Sequence, residues 1–462
     1  MNLHYEKRNI WQEADQERLD EIYDYGERYK AFLDNAKTER EACDEIIEKA
    51  KANGYISLEE ALKGQIKKGD KIYLNNKDKS AILMVVGNDI SEGMNIVGTH
   101  LDAPRLDLKQ NPLYEDGYMA LLKTHYYGGV KKYQWTTIPL AIHGVVMTKD
   151  GRKLKVNIGD NEEDPVFYIN DLLIHLSADQ MKKTLAEGVA GEQLNVVVAH
   201  NGRFQKKDAE NPIKDNLLKY LNRKYKVVEE DLLVSELEIV PASKARDVGF
   251  DRAMIAAHGH DDRVCSYAAL EAILELKEAP ERTAVAMFVD KEEIGSVGNT
   301  SMGAIFLENM VAEILAAQNE KYSDILVRRA MANSKVLSGD VTVAFDPTFP
   351  EVSEKSNTSL LGHGVTICKY TGSRGKGGSN DANAEFIAEL RELFDKEDII
   401  WQTGELGKVD QGGGGTIAYI LAGYGAEVVD LGTGMLSMHA PLELLSKADA
   451  FMTCKAYNAF FK

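Results

Sequence analysis

The chain has 462 residues, 44% hydrophobic and 28% charged, the make-up of a soluble globular protein of two or three domains. A surplus of 73 acidic over 55 basic side chains, net −18, excludes nucleic acid and anionic membrane surfaces as natural partners but leaves peptides open, whose terminal amines are cationic. No apolar run approaches the ~20 residues of a membrane span. The N-terminus lacks a signal core, and Cys43, Cys265, Cys368 and Cys454 lie far apart, as expected of reduced thiols in a cytoplasmic protein.

Apolar residues at helical spacing in 12–52 predict two helices ending before Gly54, and Ser57 with Glu60 reads as a capping box. Strands are expected at 71–74, 81–86 and 95–99, the first two joined by a hairpin turn at Asn75–Asp78. From Pro104 to about Glu236 the texture changes to short alternating segments among many Gly, Asn and Asp residues, with a solvated loop at 208–216. This reads as a β-rich insertion between two parts of one domain, 1–103 and 237–462. Beyond it an α/β rhythm returns: helix 264–276, strand 283–289, helix 303–318, strand 341–345, helix 382–394, strand 426–431 and a closing helix 442–460. Such alternation predicts an α/β fold with a mainly parallel sheet flanked by helices.

Functional groups in open α/β sheets gather beyond the carboxyl ends of strands. Here the first such end is His100-Leu-Asp102, two residues whose i, i+2 spacing turns both side chains to one side of an extended segment. Asp261-Asp262 precede a helix, Asp290-Lys-Glu292-Glu293 follow one strand, Asp346-Pro347 another, and Met438-His439 a third. Taken singly, each has an ordinary explanation as a turn initiator or a solvated helix start. Together, His100, an aspartate of Asp261-Asp262, a glutamate of Glu292-Glu293, Asp346 and His439 form a set of imidazole and carboxylate donors without thiolate. That chemistry suits zinc, with cobalt or manganese as alternatives. Five ligands exceed one open tetrahedral site and fit two divalent metals that share a bridging carboxylate. Of the Glu292-Glu293 pair, one can bind metal while the other takes a proton from water.

Thr99-His-Leu-Asp-Ala-Pro104, Asp261-Asp262, Asp290-Lys-Glu-Glu-Ile-Gly-Ser296 and Met438-His-Ala-Pro441 resemble the aspartyl aminopeptidase and vacuolar aminopeptidase I family of di-zinc exopeptidases, over nearly the whole chain. The resemblance implies that His100 and Asp346 hold one metal, Glu293 and His439 the other, and Asp261 bridges them. It makes Glu292 the general base and then acid, and Asp102 the residue that orients His100. It implies a cis peptide at Asp261–Asp262. It also makes the insertion a dimerisation domain, packed further into a twelve-subunit particle, whose His143 enters the neighbouring subunit's site against the substrate. In acid-preferring relatives a lysine near the glycine-rich loop 369–378 faces the substrate side chain. Lys369 or Cys368 falls there, which leaves an acidic or a neutral preference open. The rival readings are a di-metal deacylase or carboxypeptidase of the same broad fold, and a non-catalytic self-assembling relative.

Overall fold

A computed structural model describes residues 3–203, 209–318 and 322–462. Its contacts divide the chain into two compact units. The first comprises Met1–Asp102, Ala245–Met438 and Glu443–Lys462; the second comprises Ala103–Lys244 and the turn His439–Leu442.

The first unit opens with helices α1 (Ile10–Glu13), α2 (Gln16–Asn35) and α3 (Glu39–Ala52), strand β1 (Ile56–Ser57) and α4 (Leu58–Ala61). Thr38 and Glu41 form a full capping box on α3, and Ser57 caps α4 by accepting from the Glu60 N–H. Next come β2 (Lys71–Asn76), β3 (Ser80–Val85) and β4 (Met94–His100). Lys77 and Asp78 both take positive φ, 63° and 56°, which gives the β2–β3 hairpin the twist its strands need.

The second unit contains β5 (Arg105–Asp116), β6 (Met119–Tyr127), β7 (Leu140–Met147), β8 (Lys153–Ile158), β9 (Tyr168–Ile169), β10 (Val196–Ala199), α5 (Pro212–Tyr225) and β11 (Glu236–Pro241). Among the described residues its strands form one sheet in the order β8-β7-β11-β5-β6-β10-β9. Leu106, Ile142, Val196 and Ile239 belong to the core on one of its faces. The insertion ends later than residue 236 because β11 pairs with both β5 and β7, which keeps the chain in this sheet to Pro241. The stretch expected as a loop at 208–216 is helical from Pro212, a residue well suited to a first helical turn; Asp208 lies outside the described residues.

The first unit resumes with β12 (Arg246–Val248), β13 (Met254–Ala257), α6 (His260–Leu274), β14 (Thr283–Val289), α7 (Phe306–Gln318), α8 (Asp324–Ala332), β15 (Lys335–Ser338), β16 (Thr342–Val343), β17 (Val365–Cys368), α9 (Ala384–Lys396), β18 (Trp401–Thr403), α10 (Ala418–Ala422), β19 (Glu427–Gly432), β20 (Gly434–Leu436), β21 (Glu443–Ser446) and α11 (Lys447–Phe461). Its main sheet runs β1-β2-β3-β14-β4-β15-β19-β17-β18 among the described residues. The centre, β14-β4-β15-β19, is parallel, as are the pairs β1-β2 and β17-β18, while β3 and β17 run antiparallel to their central neighbours, so the sheet is mainly parallel with antiparallel joins on either side.

Helices cover both faces of this sheet. Val97, Leu101 and Leu337 meet α2, α3, α6 and α11 on one, and Ile96, Val285 and Val336 meet α7, α8 and α10 on the other. A smaller sheet, β12-β13-β21-β20-β16, takes in the segment expected as strand 341–345 and the first residues of the expected closing helix.

Candidate metal centre

His100 ends β4 at the middle of the parallel core, in register with Val289 at the end of β14. Leu101 turns away into the core, and its N–H donates to the Val289 carbonyl at 2.7 Å. The His100 ring is 1% exposed. Its Nδ1 lies 3.0 Å from the Asp102 carbonyl oxygen and 3.5 Å from the Asp102 carboxylate, while its Nε2 points the other way, 3.3 Å from Asp261 and 3.9 Å from Asp340. One nitrogen is thus held from behind and the other is offered to the cluster, which is the arrangement of a ligating imidazole.

The helix bearing Asp261 is pinned to β4 from below. Ser266 Oγ donates to the His100 carbonyl at 2.8 Å, and the His100 N–H donates to Asp262 Oδ2 at 3.2 Å. The Asp261–Asp262 peptide is cis. Asp261 N–H donates to Glu443 on β21 at 3.1 Å. Nearby His260 is a core histidine that bonds to the Tyr29 hydroxyl and faces the Ile255 carbonyl; burial pushes its pKa down to about 3, so it stays neutral.

After β14 the chain reverses sharply. Lys291 takes φ 69°, left-handed for a residue with a side chain, and its ammonium is tied to Asp290 and to Thr300. Both oxygens of the Asp102 carboxylate then accept backbone N–H groups, Glu292 N at 3.1 Å and Glu293 N at 3.1 Å. Asp102 therefore holds the two-glutamate turn against His100 as well as standing behind the ring.

The ligand atoms of His100, Glu292 and Glu293 lie within 4.8 Å of one another, as do those of His100, Asp261 and Asp340. His439 directly follows Met438, takes φ 65°, and its Nδ1 lies 2.8 Å from the Gly129 carbonyl.

Asp346 belongs to none of these groups; its carboxylate instead accepts the Thr348 N–H at 2.8 Å, capping a turn. The aspartate that joins His100 and Asp261 is Asp340, two residues beyond β15, a strand that sequence reading overlooked because its buried run is only Val336-Leu337-Ser338. The available signal was that short run followed by Gly339-Asp340. Gly339 is required: a Cβ there would lie 2.7 Å from both Thr99 Cγ2 and the Tyr457 hydroxyl.

Lys369 is exposed, whereas Cys368 is turned inward, its thiol pushed up to about 12 by burial, with Asp430, Asp340 and Glu405 as charged neighbours. His143 lies on β7, fully buried within its own unit, its Nε2 3.1 Å from Asp160.

The donor set fits divalent metal ions. Burial first, then Glu292, raises the Asp340 carboxyl well above its usual range, and burial does the same for Asp262. Burial opposes the charged form of His100, but Asp102 and Asp261 override it and raise the ring well above the ordinary imidazole value. So much converging negative charge, buried around one imidazole, is stabilised by cations, and these oxygen and nitrogen donors match zinc, cobalt or manganese.

Residues 32–461 match the family model described as aminopeptidase I zinc metalloprotease (M18). The chain belongs to this family. A probable M18 family aminopeptidase 1 from Clostridium acetobutylicum is 51% identical over 460 residues, 98% of each chain. The crystal structure of an M18 family aminopeptidase from Thermotoga maritima matches with a TM-score of 0.94 at 42% identity, over 99% of this chain and 100% of that one. At 22% identity the mApe1 dodecamer of S. cerevisiae shares the fold, with a TM-score of 0.77 over 96% of this chain and 97% of that one. This M18 enzyme is thus a zinc-dependent metallo-aminopeptidase with a two-metal site. Among its described residues no helix is long and apolar enough to cross a membrane.

Proposed function

We propose that the enzyme removes neutral N-terminal residues from peptides, with Asp261 bridging two metal ions, His100 and Asp340 completing one site, and Glu293 and His439 the other. The observation that carries the site reading is the convergence of His100, Asp261, Asp340 and Glu293 within the first unit, with Glu292 4.0 Å from His100 Nε2. Metal ions bound there would polarise the scissile carbonyl and acidify water. Glu292 accepts the proton of the attacking water at its carboxylate and returns it to the departing amine. Asp102 keeps that carboxylate in place through the backbone of residues 292 and 293. The preference for neutral side chains is supported by the inward thiol of Cys368, whose charged neighbours are the carboxylates of Asp430, Asp340 and Glu405.

The test is a panel of aminoacyl reporters. Activity on leucyl over glutamyl substrates, abolished by a chelator and restored by zinc or cobalt, is expected. Full turnover in metal-free protein overturns the site reading, and a glutamyl preference overturns the specificity.

The same reading includes dimers built through the inserted unit and a dodecamer, supported by the yeast relative described as one. It places the enzyme in the cytoplasm, supported by four cysteines that are all buried and unbridged. For His143 to serve a neighbouring subunit's substrate, its contact with Asp160 must open on assembly. Mixing His143→Ala with Glu292→Gln subunits should then restore part of the turnover; no restoration, with subunit exchange confirmed, removes the role.

A further inference from the structure

The inserted unit holds a gap inside its own fold. Ile142 and Val146 on β7 and Leu154, Val156 and Ile158 on β8 share one face of its sheet, since they fall at alternate positions and pair across the strands, Ile142 with Ile158 and Val146 with Leu154. Gly144, between Ile142 and Val146 on that face, supplies no side chain to fill it. Helix α5 packs mainly over β5, β6 and β10, which leaves the β7–β8 side uncovered by it. What remains is a cavity of about 260 Å³, walled by Leu217 and Leu221 of α5, by Leu232 beyond it and by Phe167 in the loop after β8. β8 is an edge strand, and its half-buried Leu154, Val156 and Ile158 mark where the cavity opens.

The lining keeps a trace of solvent. Leu113, Leu122, Ile142, Leu232 and Leu237 are each 7% exposed, whereas Leu106, Leu140, Val196 and Ile239, core residues of the same unit that do not border the gap, are sealed at 0%. Protein cores close-pack, and a void deprives every residue around it of contacts on one side. An apolar cavity of ~150 Å³ takes up one benzene ring, so this one has room for roughly ten carbon atoms.

A single cation stands at its edge. Lys224 follows Leu217 and Leu221 along one stripe of α5 and is the one charged side chain among those that line the cavity. Its ammonium lies over the rings of Tyr225 and Tyr220, 5.0 and 5.8 Å from their centroids, and forms no salt bridge among the described residues. The nearby Asp164 carboxylate already accepts the Gly159 N–H at 3.3 Å and the Asn161 side-chain amide at 3.1 Å. An apolar cavity with one polar group at its mouth orients a ligand that has an apolar body and one charged end, and here that end must be anionic.

We propose that this cavity binds an apolar monocarboxylate of about ten carbons, its body between α5 and the β7–β8 strands and its carboxylate on Lys224. Every lining residue falls within 108–237, and none is a residue of the metal centre.

The test is calorimetric titration of the full-length, metal-loaded enzyme with decanoate, decanol and decyltrimethylammonium. Decanoate should bind saturably, one molecule per subunit, decanol about tenfold more weakly and the cation not measurably. Lys224→Met should lower decanoate to the affinity of decanol. Leu221→Trp, which fills the gap from its half-buried wall, should abolish binding of both, with Leu217→Trp as a second filling variant should the first misfold. Circular dichroism and unchanged aminoacyl hydrolysis establish that each variant is folded. A carboxylate seated on the metal ions instead would bind the filled variants as tightly as the wild type, and that result overturns the proposal, as does the absence of saturable decanoate binding. Equal affinity of wild type and Lys224→Met for decanoate overturns the choice of a carboxylate.

Discussion

Glu292 and Glu293 are adjacent in sequence, are both held through their backbone by Asp102, and both converge on His100, so the proposed division of proton transfer to the first and metal binding to the second is a matter for mutation. Glu292→Gln is expected to lower kcat by about 10²–10⁴-fold while zinc content stays near two per subunit, since the amide keeps the shape but cannot take a proton. Glu293→Gln should lose zinc, read by elemental analysis; the opposite pattern would exchange the two roles. A second pair separates Asp340 from Asp346. Asp340→Asn should lose metal and activity together, whereas Asp346→Asn should retain both and cost only the turn bond to Thr348. Metal loss in Asp346→Asn alone would return the ligand to the later aspartate.

At the scale of the element, the ligands are presented by strand ends whose register is set by backbone pairing. β15 lies against β4 with Ser338 opposite Gly98, and the Gly339 N–H donates to the Gly98 carbonyl at 2.7 Å, so the chain turns to present Asp340 beside His100. Gly339→Ala places a methyl group against Thr99 and Tyr457 and should cost about 1–3 kcal/mol, seen as a lower Tm with reduced zinc retention. Unaltered stability and metal content would show that the turn accommodates a side chain.

Helix α11 anchors a different turn. Asp449 accepts the Gly362 and Gly364 N–H groups at 2.7 and 2.8 Å, and burial pushes its carboxyl from an ordinary 3.8 to about 7. The folded chain then binds more protons than the unfolded one between those values. Its contribution to stability is present below the ordinary value and is lost as pH rises towards 7. Asp449→Asn should flatten the fall of Tm between about pH 4 and 7 in zinc-replete buffer; an unchanged slope would remove Asp449 as its source.

For the whole molecule, the central site ties together segments far apart in sequence: β4, the α6 start, the β14 turn and the β15 end. Metal ions that bind only when these are assembled stabilise the folded state by mass action. Stripping the enzyme should lower its Tm, and added zinc should restore it in a concentration-dependent way. A Tm indifferent to metal would mean that the carboxylate cluster stands without cations.

Much of this protein is legible in its sequence. Thr283–Val289 is read as a strand at its observed limits because a fully buried strand is a continuous apolar run, and His100-Leu-Asp102 is read as one-sided because the period of an extended chain is two. The chemical type of the site follows from its donors, since imidazole and carboxylate without thiolate narrow the metal before any geometry is known. Tertiary structure alone decides the rest. Asp340 and Asp346 are both aspartates that follow short apolar segments, and only the pairing of β15 with β4, against that of β16 with β20 in the smaller sheet, brings the first to His100. In the same way the insertion ends after β11 because of cross-strand hydrogen bonds to β5 and β7, partners more than 90 residues apart in the case of Leu237 and Gly144. Local pattern reports which face of a segment is buried; it carries no information about which distant segment does the burying.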